Sequence, residues 1–224
     1  MEKIFDEWPE KYDQWFRTPI GRLVKEYEKR LILEMAQPGR GEMILDAGCG
    51  TGVFTRYLLI TGARVVGLDV SLPMLRRAKE MLPPYTFRSI KGDMGHLPFP
   101  DNRFDKFISI TAIEFLEDAR GAVLEAFRVT KPGGSILVAT LNSISPWASR
   151  RMEAAKKGHS LFRQAVFRSP AEIRALAEVE GSVKTAIHFG KDEDPLKART
   201  IEESGRLAGL MTGAFLAVKW VKPV

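Results

Sequence analysis

Cysteine is almost missing from this chain. Cys49 stands alone among 224 residues, which excludes an internal disulfide and any metal or iron–sulfur site built on several thiols. Histidine is nearly as scarce. His96, His159 and His188 are scattered without the spacing of metal ligands, so no metal is expected. No apolar run approaches the roughly 18–20 residues of a membrane span. The first residues are acidic and aromatic rather than basic and then apolar, so they do not read as a secretory signal, and a cytoplasmic location is expected. Internal repeats and low-complexity tracts are absent. What remains is ordinary for a folded domain: 45% apolar and 28% charged residues, a balance that argues against disorder. The net charge of +6 admits an anionic partner but is a modest bias over a surface of this size.

The most informative stretch is Ile44-Leu45-Asp46-Ala47-Gly48-Cys49-Gly50-Thr51-Gly52. An apolar run ends in an acid, three glycines alternate, and a helical pattern follows. That is a strand, a turn of bare backbone and a helix start, an arrangement that lets a polar, nucleotide-like ligand approach main-chain N–H groups. The spacing departs from the dinucleotide fingerprint, since Val53 stands where the pattern continues, and no Gly-Lys-Ser/Thr follows to make a phosphate loop.

Around it the chain alternates. Phe5, Trp8, Tyr12, Trp15 and Phe16 recur at helical spacing in residues 1–19 and read as a short helix or an aromatic lid. Leu23, Val24, Tyr27, Leu31 and Met35 predict a helix over 21–35, stopped by Pro38-Gly39. A helix from about Val53 to Thr61 precedes a strand from Arg64 to Asp69. Ser71 caps a helix that Pro83-Pro84 stops. Strands are predicted from Tyr85 to Ile90 and from Phe104 to Ile110, and a helix from about Arg120 to Val129. Lys131-Pro132-Gly133-Gly134 reads as a tight turn, with a strand from Ser135 to Thr140. Pro170 to Glu180 reads as a helix, Ser182 to Phe189 and Gly213 to Val221 as strands, and Lys191 to Thr200 as an exposed charged stretch. The alternation predicts a doubly wound α/β fold whose ligand sits beyond the carboxyl ends of the strands. Asp46, Asp69, Asp93 and Thr111 all fall there.

The full set, Leu45-Asp46-Ala47-Gly48-Cys49-Gly50-Thr51-Gly52, Gly67-Leu68-Asp69-Val70-Ser71, Gly92-Asp93-Met94, Leu97-Pro98-Phe99 with Phe104-Asp105, and Lys131-Pro132-Gly133-Gly134, resembles the class I S-adenosylmethionine (SAM) methyltransferases. Nearest in look is the type 11 domain of the small-molecule enzymes, which include those of ubiquinone and menaquinone biosynthesis. The resemblance runs from about Glu42 to Thr140, and Tyr12-Asp13-x-Trp15-Phe16 is similar to the family's entrance helix. It implies a Rossmann-like seven-stranded sheet with the last strand antiparallel. It further implies one methyltransferase domain over 1–224, with a helical cap (1–40), a SAM-binding core (41–141), a basic lid inserted after strand five (142–169) and the C-terminal part of the sheet (170–224).

By the same resemblance Asp46, Gly48, Cys49 and Gly50 would face the methionine part of SAM, and Asp69 would accept from both ribose hydroxyls. Val70 and Met74 would sandwich the adenine, and Asp93 and the Met94 N–H would read its edge. Thr111 would line the sulfonium and methyl end, with Tyr12 closing over the cofactor. The implied reaction is an in-line displacement that leaves S-adenosylhomocysteine, and placement can carry much of its rate. No obligatory catalytic residue is therefore expected; should a base be needed, Glu114, Tyr12 and His159 are the candidates. Trp15, Glu114, Trp147 and His159 are the acceptor-side candidates. Phe115 stands where the family often shows a histidine.

Cytosine carbon-5 methylation is excluded because Cys49 lies in the cofactor loop. The Asn-Pro-Pro-Tyr signature of adenine methylation is absent after strand four. The expected acceptor is a small molecule, and the expected assembly a monomer or homodimer. The alternatives are an RNA or protein methyltransferase using the basic 150–168 segment, or a non-catalytic SAM-binding regulator. Arg150, Arg151, Lys156, Lys157, Arg163 and Arg168 face only one acid there, Glu153, which suits either an anionic ligand or a solvated helix.

Overall fold

The computed structural model describes residues 5–6, 10, 14–158 and 160–224. Its strands are β1 (Met43–Ala47), β2 (Arg64–Asp69), β3 (Phe87–Lys91), β4 (Phe104–Ile110), β5 (Thr130–Leu141), β6 (Ser182–Ala186) and β7 (Phe215–Val221). They form one sheet in the order β3-β2-β1-β4-β5-β7-β6. The first five pair in parallel, whereas β7 runs antiparallel to both β5 and β6. The helices are α1 (Pro19–Ala36), α2 (Thr55–Ile60), α3 (Leu72–Met81), α4 (Ala119–Val129), α5 (Ala148–Lys156), α6 (Ser160–Gln164), α7 (Pro170–Arg174) and α8 (Pro195–Leu207).

Side-chain alternation along the strands builds two cores. Ile44, Leu137, Ala139, Phe215 and Ala217 point to the face covered by α1, α2 and α3. Leu45, Ile136, Val138, Leu216 and Trp220 point to the face covered by α4 and α7. Helix starts follow local chemistry. The Thr18 hydroxyl accepts from Gly21 N–H at 3.1 Å before α1, Asp118 accepts from Gly121 N–H at 2.8 Å before α4, and Ser169 with Glu172 forms a capping box before α7.

Several boundaries differ from expectation. Strand β3 begins at Phe87, because the Pro83 carbonyl accepts from both Thr86 and Phe87 N–H and leaves Tyr85 in a turn, almost fully exposed. The Lys131-Pro132-Gly133-Gly134 stretch is an outward bulge inside the long β5 rather than a free turn; Thr130 pairs with Phe104 and Ser135 with Lys106. Helix α7 ends at Arg174, short of Glu180, and β6 ends at Ala186, short of Phe189. The stretch expected to be an exposed charged segment starts α8, whose cap Asp194 accepts from Leu196 and Lys197 N–H.

Asn142 ties the end of β5 to the approach to β7. Its Nδ2 donates to the Met211 carbonyl at 2.9 Å and the Gly213 carbonyl at 2.8 Å, and its Oδ1 accepts from Ile144 N–H at 3.1 Å. Alanine there leaves three backbone groups without their side-chain partner, that of Gly213 in a buried position. The expected cost is about 2–3 kcal/mol, read in thermal unfolding as a midpoint lower by roughly 5–10 °C; an unchanged midpoint would refute that role.

Candidate active site

One cavity of about 800 Å³ opens at the carboxyl ends of β1, β2 and β4. Gly48 turns the chain out of β1 with φ +77°, and a Cβ on it would stand 2.3 Å from the Ala112 Cβ, so no larger residue fits. The N–H groups of Gly48 and Cys49 donate to the Leu68 carbonyl at 2.7 and 3.1 Å. Gly50 also has positive φ, +53°, yet a Cβ there would meet nothing within 4 Å. The first glycine is demanded by packing; the second leaves open backbone toward the cavity.

Three acids border this end. Asp46 is buried and accepts from the Thr55 hydroxyl at 2.6 Å; burial first, and then the charge of Asp69, push its carboxyl up to about 7. Asp69 accepts from Gly50 N–H at 2.8 Å through one oxygen and from Ser71 N–H at 2.9 Å through the other. Its carboxyl is also raised by burial, against those backbone donors. Asp93 is exposed and accepts from Gly95 N–H at 2.9 Å. Val70, Met74 and Met94 line the same cavity. Thr111 adopts φ +48° at the end of β4, a left-handed conformation that a branched residue holds only when its surroundings enforce it. The Cys49 thiol is pushed well up, mainly by burial, so it stays protonated and unreactive.

The cavity continues past Thr111 into an aromatic chamber. Trp15 meets Trp147 edge to face at 6.5 Å, Phe5 meets Phe115 at 4.9 Å, and Trp147 is fixed by its indole N–H donating to the Phe189 carbonyl at 2.7 Å. Glu114 is wholly buried; its Oε2 accepts from the Thr140 hydroxyl at 3.1 Å, while Oε1 has no partner among the described residues. Burial pushes it up to about 7. Tyr12 and His159 lie outside the described residues; the other sequence candidates all border this one cavity.

Of two further polar residues in the chamber, Glu28 went unnoticed in the sequence and Arg151 was read only as part of the basic 150–168 segment. Glu28 is buried on α1 and raised to about 8, chiefly by burial. It sits four residues after Val24 and four before Ile32, a charge inside the apolar stripe, and that was the available signal. Arg151 turns inward from α5 and is 9% exposed; burial lowers it to about 10 against the opposing pull of Glu114 and Glu28. The basic segment is thus less available than its composition suggested. Arg150 pairs with Asp192, Lys157 with Glu153 at 2.7 Å, and Arg151 faces the cavity.

A family model described as a methyltransferase domain matches residues 45–138. A malonyl-(acyl-carrier protein) O-methyltransferase of Serratia marcescens is 30% identical over 201 residues, 80% of this chain and 76% of that protein. The chain belongs to the SAM-dependent methyltransferases. Other members are matched over less of their length. The enzyme of the same name from Yersinia pestis is 36% identical over 61% of this chain and 48% of its own. A demethylmenaquinone methyltransferase of Tropheryma whipplei is 33% identical over 62% and 57%. The chain therefore spans about half the length of these last two relatives. A solved SAM-dependent methyltransferase of Thermotoga maritima superposes with TM-score 0.75 at 22% identity, covering 99% of this chain and 100% of that one, which bears out the methyltransferase fold with its antiparallel last strand.

The residues present fit the family's cofactor. Open backbone at Gly50 admits a ligand against the main chain. Asp46 is a buried carboxyl with no facing cation among the described residues, and SAM carries positive charge on sulfur and on its amino group. Among the described residues no group of three or more His, Cys, Asp or Glu could hold a metal ion, and no helix is long and apolar enough to cross a membrane.

Proposed function

We propose that this methyltransferase acts on a small-molecule acceptor that enters the aromatic chamber beside the cofactor. The observation that carries this reading is the single cavity joining the acids at the strand ends to Trp15, Glu114 and Trp147. Its volume of about 800 Å³ lies within the usual range of small-ligand sites, roughly 300–1,000 Å³. In this reading Asp69 holds the ribose hydroxyls, Val70 and Met74 flank the adenine, and Asp93 with the Met94 N–H takes its edge. The loop of Gly48, Cys49 and Gly50, with Asp46, takes the methionine end, and Thr111 borders the reactive methyl. SAM supplies an activated methyl group on a good leaving group. The chain supplies alignment and exclusion of water, the means by which such a transfer is accelerated.

The Serratia relative is named for a malonyl group borne on acyl-carrier protein and the Tropheryma relative for demethylmenaquinone; the second is a metabolite acceptor. A macromolecular acceptor would draw on the basic 150–168 segment, but Arg150, Arg151 and Lys157 are already engaged by acids of the chain itself. The deciding experiment incubates the chain with methyl-labelled SAM and either a deproteinised small-metabolite extract or total RNA. Label is expected in the metabolite fraction; label in RNA alone, or in neither, would overturn the reading.

A further inference from the structure

Past Thr111, three buried charged side chains among the described residues line the chamber: Glu28 on α1, Glu114 on the 3-10 turn Ile113–Phe115, and Arg151 on α5. Arg151 faces both acids, and the two acids face each other. Besides its own backbone N–H, two other groups reach Glu114. One is the Thr140 hydroxyl from β5. The other is Arg168 before α7, only half-buried and shared with Glu172. Fully ionised, the buried trio carries two negative charges and one positive. A net charge sealed away from water is expensive, and such a site neutralises itself by holding a proton. Both carboxyls are indeed displaced upward, Glu28 to about 8 and Glu114 to about 7. Taken without the half-buried Arg168, the buried trio is short of one positive charge.

The walls around this deficit suit a cation. The Arg151 guanidinium already lies 5.6 Å from the Trp147 ring centre and 6.0 Å from that of Phe167, and the Lys191 ammonium lies 5.3 Å from the Trp15 ring centre at the mouth. Aromatic faces attract cations, more strongly where water is excluded. We propose that the methyl acceptor is an amine, bound as its ammonium by Glu28 and Glu114 and deprotonated by Glu114. This rests on the methyl-transfer reading above and names its acceptor class.

The chemistry balances. Binding the ammonium lets the second carboxyl ionise, so a proton leaves the site. One N–H bond then breaks, its electron pair staying on nitrogen and its proton passing to Glu114 Oε1, which has no partner among the described residues. The nitrogen pair forms the new N–C bond as the methyl's bond to sulfur breaks, the electrons going to sulfur. A methylated ammonium and S-adenosylhomocysteine result, with one proton reaching solvent. A carboxylate acceptor would do the opposite, forcing the second acid to become protonated as well and drawing a proton in. A neutral alcohol would move none.

That sign is the test. The chain saturated with S-adenosylhomocysteine is titrated by calorimetry at pH 7 with 2-phenylethylamine, 3-phenylpropanoate and 2-phenylethanol, each in two buffers of different ionisation enthalpy. The amine is expected to bind at least roughly tenfold more tightly than the other two and to release up to one proton per molecule bound. Glu28→Gln and Glu114→Gln should each weaken amine binding by about tenfold and reduce the proton released, with S-adenosylhomocysteine affinity retained as the check on folding. Preference for the carboxylate, proton uptake, no amine binding, or indifference to both glutamine variants overturns the proposal. Failure of S-adenosylhomocysteine itself to bind overturns the methyl-transfer reading instead.

Discussion

Asp69→Ala is expected to lower S-adenosylhomocysteine affinity by on the order of a hundredfold, measured by calorimetry on protein whose unfolding midpoint shows it is still folded. The size follows from what the carboxylate does at once. Each of its oxygens accepts one backbone donor, Gly50 N–H at 2.8 Å and Ser71 N–H at 2.9 Å, so it fastens the loop after β1 to the turn that starts α3. Its remaining lone pairs are the proposed partners of the ribose hydroxyls. Hydrogen bonds to a charged group contribute about 1.5–3 kcal/mol each, and two to the ligand plus a loosened loop reach roughly 3 kcal/mol, or two decades. Asn in place of Asp keeps the shape but supplies a neutral acceptor and only one oxygen, so an intermediate loss is expected. Wild-type affinity in Asp69→Ala would remove this residue from the cofactor site.

The second large effect concerns pH. Ligand-free protein should lose stability steadily between about pH 5 and 8. Asp46, Glu28 and Glu114 are raised from 3.8, 4.5 and 4.5 to about 7, 8 and 7, and Asp69 is raised too. In that window the unfolded chain has released these protons while the folded chain keeps them. The folded state binds more protons, so stability falls as pH rises. His188 acts in the same direction. It is raised by its partner Glu202 against burial, so its contribution is complete below its unfolded value of 6.5 and fades as pH climbs through the folded one. The lowered carboxyls, such as Asp105, Glu125 and Glu202, lose their contributions only as pH falls below the ordinary carboxylate range. Together the raised groups amount to several kcal/mol, an unfolding midpoint lower by on the order of 10 °C at pH 8 than at pH 5. Saturating SAM should flatten the profile by placing positive charge beside Asp46. A midpoint that rises from pH 5 to 8 without ligand would contradict these environments.

The loop after β1 and the acids at the strand ends were legible in the sequence because their signals are local. Glycines at alternate positions, an acid after an apolar strand and a Ser cap on the next helix each declare themselves within a few residues. The acceptor end depends on contacts made far along the chain. Arg150 and Arg151 are neighbours of identical charge, and only packing of α5 sends one to Asp192 and the other inward. The Lys131–Gly134 stretch carries turn chemistry, yet it becomes a bulge because Gly133 N–H donates to the Lys222 carbonyl and Lys222 N–H to the Gly134 carbonyl, both at 2.9 Å. Helix α8 was missed because its buried side is Ala198, Glu202 and Gly205, with no apolar stripe to announce it. Glu202 is there to accept from His188 N–H at 2.7 Å, which secures the turn at Ile187, where φ is +66°.

The position of β7 carries a consequence for how the chain comes to be. Although it is the last strand made, it lies between β5 and β6, and β6 pairs with nothing else in the sheet. As the polypeptide leaves the ribosome at roughly 5–20 residues per second, residues 130–141 present an unpaired edge until residues 215–221 emerge. The parallel half can form early, but β6 has no place to dock before then. For that interval the nascent chain holds an open strand edge of the kind that invites intermolecular pairing. The same delay leaves α1, which packs on β5, β6 and β7, with an unfinished surface. The aromatic chamber, which Glu28 of α1 lines, is thus completed only after β7 has formed.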